Sequence, residues 1–260
     1  MVIDTFMFYN ELDMLEFRLK ELDSVVDKFV IVEATQTFTG NKKKLYFKEN
    51  KKFFKKYSDK IQYVILKDIE NVNAWAREAR QRIATGEVLK SLNLNNKDII
   101  IASDIDEIPD ADEISKFKQH GLPQPIITPL QDTYYFNFNQ KAKAYSGYDL
   151  QSNRKYHKTI GCKIFYYGEF IKLGVSIQEL RTKHISLSNL YEKGGWHLTF
   201  FMPPDRIKEK MLNYANTQYK GDINNLITDK NIEFERIKDN NYLPKNYKYF
   251  KNDTRTKRLG

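Results

Sequence analysis

An α/β fold with a mostly parallel, doubly wound sheet and an added mixed or antiparallel part is predicted for this 260-residue chain. Over residues 1–110, short apolar runs alternate with stretches of helical periodicity, which is typical of β–α–β crossovers. The run from Ile99 to Ala102 is continuously apolar, the pattern of a strand buried on both faces. After Pro109, aromatic and β-branched runs separated by turn signals indicate further strands.

The elements of the first half follow from these patterns in chain order. After the first apolar run, leucines recur at helical spacing at Leu12, Leu15, Leu19 and Leu22. The predicted elements are strands at 2–11, 28–36 and 61–69, helices at 12–25 and 73–92, and then the buried strand that ends at Ala102. The lysine-rich segment 41–57 is interpreted as part of the folded domain rather than as a linker.

The second half is predicted to combine added strands with one helix. Residues 125–145 and 159–173 are rich in aromatic and β-branched side chains, which suits antiparallel strands. A helix is predicted over 203–218 because its entry through two prolines fits a first helical turn. The basic, aromatic tail 243–260 is expected to pack as an irregular arm.

Composition narrows the protein class without choosing a function. The net charge of +9 suits a solvated surface, but equally attraction to phosphate-bearing ligands, nucleic acid or an anionic membrane. Cys162 is the only cysteine, which excludes an intramolecular disulfide and a cysteine-based zinc site. The first residues carry no basic signal-peptide region, and no run is long enough to span a membrane. We therefore expect a soluble cytoplasmic protein, at most peripheral at a membrane.

Acidic side chains follow the buried strand directly. Asp104, Asp106 and Glu107 lie at its carboxyl end, where ligands bind in open α/β sheets. Two aspartates separated by one residue can converge on Mg²⁺ or Mn²⁺, which prefer oxygen ligands. The alternative is an acidic turn that caps the following helix. Dinucleotide and P-loop chemistry are disfavoured because the sequence has neither G-x-G-x-x-G after the first strand nor a Walker A loop.

A histidine in the second half is a further candidate metal ligand. His197 follows Gly194, Gly195 and Trp196, and glycines permit a close backbone approach. Its ring either has a structural role beside the tryptophan or completes a two-carboxylate metal set. The second interpretation requires that His197 face the aspartates.

Two charged residues of the first half are candidates for contacts with a ligand. Arg77 lies early in the predicted helix 73–92, where its guanidinium could bind a diphosphate bidentately. Arg82 is expected to project elsewhere, and at least one arginine of this helix is expected to be solvated or paired with Glu78. Glu33 ends the second strand, where it could accept hydrogen bonds from a nucleoside or cap the loop.

Six segments together resemble glycosyltransferase family 17. In chain order they are DTFMFYNELDMLEFRL, VEATQTFTGNKKKLYF, NAWAREARQR, IIIASDIDEIP, GGWHLTFF and LPKNYKYF. The resemblance covers nearly the whole chain. It implies a GT-A-like nucleotide-diphospho-sugar transferase fold, a UDP-sugar donor that carries N-acetylglucosamine, and inversion at the anomeric carbon with Mn²⁺ or Mg²⁺.

The resemblance also implies roles for particular residues and regions. Asp104, Asp106 and His197 would bind the metal, and donor contacts would come from Glu11, Glu33, Arg77 and Asp104. The base that takes the acceptor proton is either Glu107 or Glu179. A single domain over 1–260 would comprise a nucleotide-sugar-binding half (1–110), an acceptor and metal-completing half (111–215) and a C-terminal extension (216–260).

The leading hypothesis is therefore a metal-dependent inverting glycosyltransferase with a nucleotide-sugar donor and a glycan or glycoconjugate acceptor. A metal-dependent nuclease or nucleic-acid binder and a catalytically inactive carbohydrate-binding protein on the same fold are the alternatives. Because the lysines are spread along the chain rather than gathered in one stripe, no nucleic-acid partner is expected. Weak peripheral contact with a membrane is a further expectation.

Overall fold

The computed structural model describes residues 1–67, 72–142, 158–183, 189–215, 234–236 and 242–251. The strands are β1 Val2–Phe8, β2 Lys28–Ala34, β3 Ile61–Leu66, β4 Ile99–Ala102, β5 Glu107–Ile108, β6 Ile126–Pro129, β7 Gln131–Tyr135, β8 Gln140–Ala142, β9 Lys158–Thr159, β10 Lys163–Tyr166, β11 Leu190–Tyr191, β12 Trp196–Thr199 and β13 Phe234–Arg236. The helices are α1 Leu12–Leu22, α2 Tyr46–Asn50, α3 Ala74–Ser91, α4 Ala111–His120, α5 Tyr167–Leu173, α6 Ile177–Lys183 and α7 Pro204–Asn213, with a 3₁₀ helix at Lys51–Tyr57 and a short helix at Lys248–Lys251.

A mostly parallel sheet organises the first half. Among the described residues, seven strands lie in the order β11-β6-β10-β4-β1-β2-β3. The pairs β3-β2, β2-β1, β1-β4 and β6-β11 are parallel, whereas β10 runs antiparallel to both of its neighbours. This sheet confirms the predicted α/β class.

Helices cover both faces of this sheet, as the alternation of its side chains requires. Along β4, Ile99 and Ile101 belong to the apolar cluster that includes α1 and α4. Ile100 and Ala102 point to the opposite face and belong to the cluster that includes α3, α5 and α6. All four side chains are buried, so the prediction of a strand covered on both faces is confirmed.

A second, mixed sheet brings the later segments to the acidic turn. Its order is β13-β8-β7-β12-β5, and β9 also pairs with β7. Strand β12 runs parallel to β7 and antiparallel to β5, so that Trp196 lies opposite Ile108 and His197 opposite Glu107. The added mixed part of the predicted fold is thus confirmed, and it places His197 beside the acidic residues.

Several predicted element boundaries change in the structure. The first strand ends at Phe8 rather than at residue 11, because the Glu11 carboxylate accepts the backbone N–H groups of Tyr9 and Asn10 just before α1. Residues 167–173 form α5 rather than a strand, because Phe170 packs into the helical face of the core. Residues 68–69 of the predicted third strand and 216–218 of the predicted helix 203–218 lie outside the described residues.

The lysine-rich segment and the tail are anchored by aromatic side chains. Phe47 and Phe54 are buried within residues 41–57, which agrees with a folded segment. Phe250 of the tail packs against Phe17, and the tail contains a short helix there. Residues 252–260 lie outside the described residues. Within the described part of the chain, no helix combines the length and apolarity that crossing a membrane requires.

Candidate active site

The candidate site lies at the carboxyl edge of the first sheet. The turn Ser103–Glu107 follows β4, and Asn10 and Glu11 follow β1 at the same edge. Helix α7 and strand β12 bring Lys210 and His197 against this turn. The capping role suggested for the acidic cluster belongs instead to Asp110, whose carboxylate accepts the Asp112 and Glu113 N–H groups at the start of α4.

A fully buried arginine holds the acidic turn from below. Both ends of the Arg18 guanidinium pair with the Asp4 carboxylate, at 2.8 Å from Nε and 2.6 Å from Nη2. Nη2 also donates to Ser103 Oγ at 2.6 Å. Nη1 donates to three backbone carbonyls of the turn, those of Asp104, Ile105 and Glu107, at 3.0, 3.1 and 2.9 Å. Arg18 is thus a positioning residue that fixes the turn from which the carboxylates project.

Two more arginines bind the carboxylates on one side of the turn. Arg181 of α6 donates to both oxygens of Asp104, at 2.6 and 3.2 Å, and to Glu107 Oε2 at 2.8 Å. Arg82 of α3 donates to Asp104 Oδ2 at 3.1 Å and pairs with Glu78 Oε1 at 2.6 Å. Burial raises the pKa of Asp104, but the two guanidiniums outweigh it and hold that pKa well below its usual range. Burial likewise raises the pKa of Glu107, and there it prevails over Arg181.

Asp106 faces a lysine and a histidine on the other side of the turn. Lys210 Nζ lies 3.2 Å from Asp106 Oδ2 and 3.2 Å from Glu11 Oε1, so one ammonium bridges two carboxylates. His197 Nε2 lies 3.7 Å from Asp106 Oδ1. Although burial raises the pKa of Asp106, the charges of Lys210 and then His197 lower it further than burial raises it.

Threonine hydroxyls orient the His197 ring. Nδ1 lies 2.9 Å from Thr159 Oγ1, which in turn lies 2.6 Å from Thr133 Oγ1. Nε2 lies 3.2 Å from Thr199 Oγ1 and faces Asp106. The neighbouring Trp196 donates its indole N–H to the backbone carbonyl of Tyr242. The condition that His197 face an aspartate is therefore met at Asp106.

The other predicted site residues have partners within the fold. The Glu33 carboxylate accepts from Lys43 Nζ at 3.0 Å, Tyr63 Oη at 2.7 Å and the Phe47 N–H at 3.2 Å, which matches the loop-capping interpretation.

Arg77 donates from Nη1 to the Phe38 carbonyl at 3.3 Å. The Glu179 carboxylate accepts from the Ser176 N–H and Oγ at 3.1 and 3.0 Å and so caps α6. The donor-contact and base roles of these residues stay predictions.

Asp106 and His197 are the side chains that would hold a divalent cation at this site. Within the described ranges, no group of three or more His, Cys, Asp and Glu side chains is arranged to hold a metal ion. Both Asp104 oxygens already accept from arginines, so its metal-ligand role stays a prediction. Mg²⁺ sites commonly combine one or two carboxylates with water and substrate phosphates. An adjacent carboxylate and imidazole suit an ion that is completed by a diphosphate.

Four basic residues of this arrangement were missed or misjudged from the sequence: Arg18, Arg82, Arg181 and Lys210. Arg82 was expected to project elsewhere, yet it bridges Glu78 and Asp104. A signal for Arg18 existed, because it lies on the same helical face as Leu15, Leu19 and Leu22, where an unpaired charge is unfavourable. Arg181 and Lys210 carry no comparable local signal.

Comparison with known sequences connects this site to a family. Residues 1–161 match the sequence profile of glycosyltransferase family 17. The chain belongs to this family. The family predicted from the sequence is therefore confirmed, and membership supports a role in glycosyl transfer.

Curated relatives are similar over most of this chain. The rat β-1,4-mannosyl-glycoprotein 4-β-N-acetylglucosaminyltransferase is 26% identical over 233 residues, which cover 84% of this chain and 43% of the rat protein. The human protein of the same name is also 26% identical, with 44% of its length covered. This chain thus spans less than half the length of these relatives. Among solved structures, 4-diphosphocytidyl-2C-methyl-D-erythritol synthase aligns with a TM-score of 0.41 at 13% identity, over 78% of this chain and 94% of its own.

Proposed function

We propose that this protein is a metal-dependent inverting glycosyltransferase. It transfers N-acetylglucosamine from UDP-N-acetylglucosamine to a hydroxyl of a glycan or glycoconjugate. The observation that carries the proposal is the acidic turn after β4, with His197 and Lys210 beside it, in a chain of family 17. The choice of sugar follows the names of the relatives.

Asp106 and His197 would hold the cation in this proposal. When bound, Mn²⁺ or Mg²⁺ would neutralise the charge that grows on the departing diphosphate. Lys210 is the residue that must yield part of its contact with Asp106, and its second partner Glu11 keeps the ammonium at the site. Glu11 therefore contributes to donor binding through Lys210. Asp104 also contributes to donor binding, because it holds two arginines at the edge of the site.

The transfer is a single displacement. The acceptor oxygen bonds to the anomeric carbon as the bond to the diphosphate oxygen breaks, and a carboxylate takes the acceptor proton. Of the two candidate bases, Glu107 lies in the acidic turn itself, and burial raises its pKa, which favours proton uptake. Glu179 is the weaker candidate because its carboxylate caps α6.

A donor screen tests the proposal. The protein is titrated by calorimetry with UDP-N-acetylglucosamine, other UDP-sugars, a GDP-sugar and a CMP-sugar, each with Mn²⁺, with Mg²⁺ and with EDTA. Slow release of free nucleotide is measured in parallel. We expect tightest binding of UDP-N-acetylglucosamine, and its loss in EDTA. Equal binding of all the nucleotide sugars, or binding and hydrolysis that EDTA does not change, would contradict the proposal.

We also propose a cytoplasmic protein with weak contact to anionic membranes. Phe53 of the 3₁₀ helix is 70% exposed, and four lysines of the same helix are also exposed: Lys51, Lys52, Lys55 and Lys56. An apolar side chain among cations suits an anionic lipid surface. Co-sedimentation with phosphatidylglycerol vesicles should exceed that with phosphatidylcholine and should decrease with salt.

Substitution of these four lysines by glutamine should abolish the membrane contact. As a matched control, substitution of four lysines that are exposed outside this helix, Lys90, Lys97, Lys172 and Lys193, should leave it intact. Binding that survives the first set of substitutions would exclude this surface.

A further inference from the structure

Lys210 on α7 lies between two acidic residues of the candidate active site. Its ammonium nitrogen is 3.2 Å from Glu11 Oε1, just after β1, and 3.2 Å from Asp106 Oδ2 in the acidic turn. Only 15% of the Lys210 side chain is exposed, so the contact is largely shielded from solvent. One positive charge of the chain itself thus binds the carboxylate at which the divalent cation is expected.

The ammonium and a divalent cation would compete for Asp106. Both would bind the same carboxylate, and repulsion between like charges in a largely buried site disfavours their presence together. Lysine presents its charge at the end of a flexible stem, so the contact can be given up without a change of the backbone. At Asp104 the same exchange is hindered, because Arg181 donates to both carboxylate oxygens.

Lys210 keeps other contacts when it leaves Asp106. Glu11 Oε1 is its second partner, and the centre of the Phe200 ring lies 6.0 Å from its nitrogen, at the limit of a cation–π contact. A nucleoside diphosphate that binds at this edge of the sheet adds negative charge, to which the ammonium is attracted. The nucleotide would therefore draw Lys210 away from Asp106 and leave this carboxylate to the metal.

We propose that Lys210 is an internal competitor of the divalent cation, which holds Asp106 until the diphosphate binds, so that the metal and the nucleotide bind together. The inference rests on the proposed metal-dependent use of a nucleotide sugar and adds to it the order of binding. Removal of a residue that merely supports a metal site lowers the affinity for the metal. Removal of a competitor raises it, so the sign of the effect separates the two roles.

The size of the effect follows from the population that is able to bind. The apparent affinity for a ligand is reduced by the fraction of the protein that is competent to bind it. An ammonium that holds Asp106 in about nine-tenths of the molecules would lower the apparent affinity for the metal about tenfold. Without the ammonium, this loss disappears.

The test measures Mn²⁺ binding with and without UDP. Electron paramagnetic resonance of the free ion gives the Kd of Mn²⁺ for wild type, Lys210→Met and Lys208→Met. Lys208 is a matched control because it lies on the same helix but is exposed. We expect Lys210→Met to bind Mn²⁺ alone about tenfold more tightly than wild type does, and Lys208→Met to bind it as wild type does.

UDP provides a second readout, because the loss of any nearby positive charge strengthens the binding of a cation. In wild type, UDP should raise the affinity for Mn²⁺, in part because the diphosphate attracts Lys210 away from Asp106. That part of the coupling is absent in Lys210→Met. The gain in Mn²⁺ affinity on adding UDP should therefore be about tenfold smaller in this variant than in wild type.

The other outcomes overturn the inference. Weaker or unchanged Mn²⁺ binding by Lys210→Met would show that Lys210 does not compete, and tighter binding with an unchanged gain from UDP would show a general effect of charge. In either case metal-dependent binding of UDP by wild type would leave the proposed function standing. If wild type binds UDP equally well in EDTA, or does not bind it, the proposed function falls as well. Should Lys210→Met fail to fold, Lys210→Gln, which has a neutral amide, must show both effects.

Discussion

The two aspartates of the acidic turn lie one residue apart but have different surroundings. Asp104 is held by guanidiniums from α3 and α6, and Arg181 binds both of its oxygens. Asp106 faces an ammonium from α7 and an imidazole from β12, at 3.2 and 3.7 Å. Asp104 is therefore bound by planar guanidiniums, each of which can donate two hydrogen bonds. Asp106 is contacted by one atom of each of its neighbours.

This difference suggests two roles for the aspartates: Asp104 belongs to a fixed framework of ion pairs, whereas the contacts of Asp106 can be exchanged for a ligand. Arginine is always charged, and its planar fork holds a carboxylate in one geometry. Lysine is a point charge on a flexible stem, and imidazole is a common metal ligand. A cation that arrives with a diphosphate can therefore displace contacts at Asp106 more readily than at Asp104. We therefore expect Asp104 to shape the site and Asp106 to bind the cation.

The largest effect is expected from breaking the framework. Arg181→Met leaves the buried carboxylate of Glu107, and the partly exposed carboxylate of Asp104, without this partner, and loss of one member of a buried ion pair costs about 3–5 kcal/mol. Urea unfolding should show this loss in the free energy of unfolding. The control Arg80→Met breaks only the exposed pair with Glu87 and should change it by about 0.5 kcal/mol or less. Similar values for the two variants would contradict the framework role.

The next effect separates the two aspartates directly. Asp106→Ala should weaken Mn²⁺-dependent UDP binding by about 100-fold or more, with little change in stability, because it removes a metal ligand. Asp104→Ala should weaken UDP binding less but should lower the free energy of unfolding, since Arg82 and Arg181 lose their shared carboxylate. Calorimetry and urea unfolding of both variants measure the two effects. Wild-type UDP affinity in Asp106→Ala would refute the metal assignment.

Local patterns were sufficient to predict where the acidic turn lies. The run Ile99–Ala102 specifies a strand by its composition alone, and the carboxylates follow it at the edge where parallel strands end. The two-faced burial of this strand also followed from its lack of polar positions. These features depend on neighbouring residues in the chain.

The partners of the carboxylates could not be predicted in the same way. Arg181 lies 77 residues from Asp104 and Lys210 lies 104 residues from Asp106, so only the packing of α6 and α7 brings them to the turn. Residues 167–173 were misjudged for a related reason. Their aromatic composition favours a strand, but packing of Phe170 against the core favours a helix.

A smaller effect is expected from His197, which tests whether the Asp106 side binds metal. His197→Ala should lower metal-dependent turnover by about tenfold, in line with loss of one ligand or its orienting contacts. Thr159→Val removes the hydroxyl that orients Nδ1 and should reduce turnover in the same direction but by less. Turnover is measured over a range of Mn²⁺ concentrations. A loss that is independent of Mn²⁺ concentration and accompanied by lower stability would indicate a purely structural histidine.

The smallest effect is a pH dependence of stability on the Asp104 side, where Lys163 lies buried. Burial lowers the pKa of Lys163 from 10.5 to about 8, and Arg181 lowers it further than Glu107 raises it. Above pH 8 the folded chain releases this proton while the unfolded chain retains it, so stability rises with pH toward 10.5. Between pH 7 and pH 9, wild type should gain about 1 kcal/mol relative to Lys163→Met, because the methionine has no proton to release. Urea unfolding of both proteins across this range measures the difference. Parallel pH profiles would show that Lys163 does not titrate there.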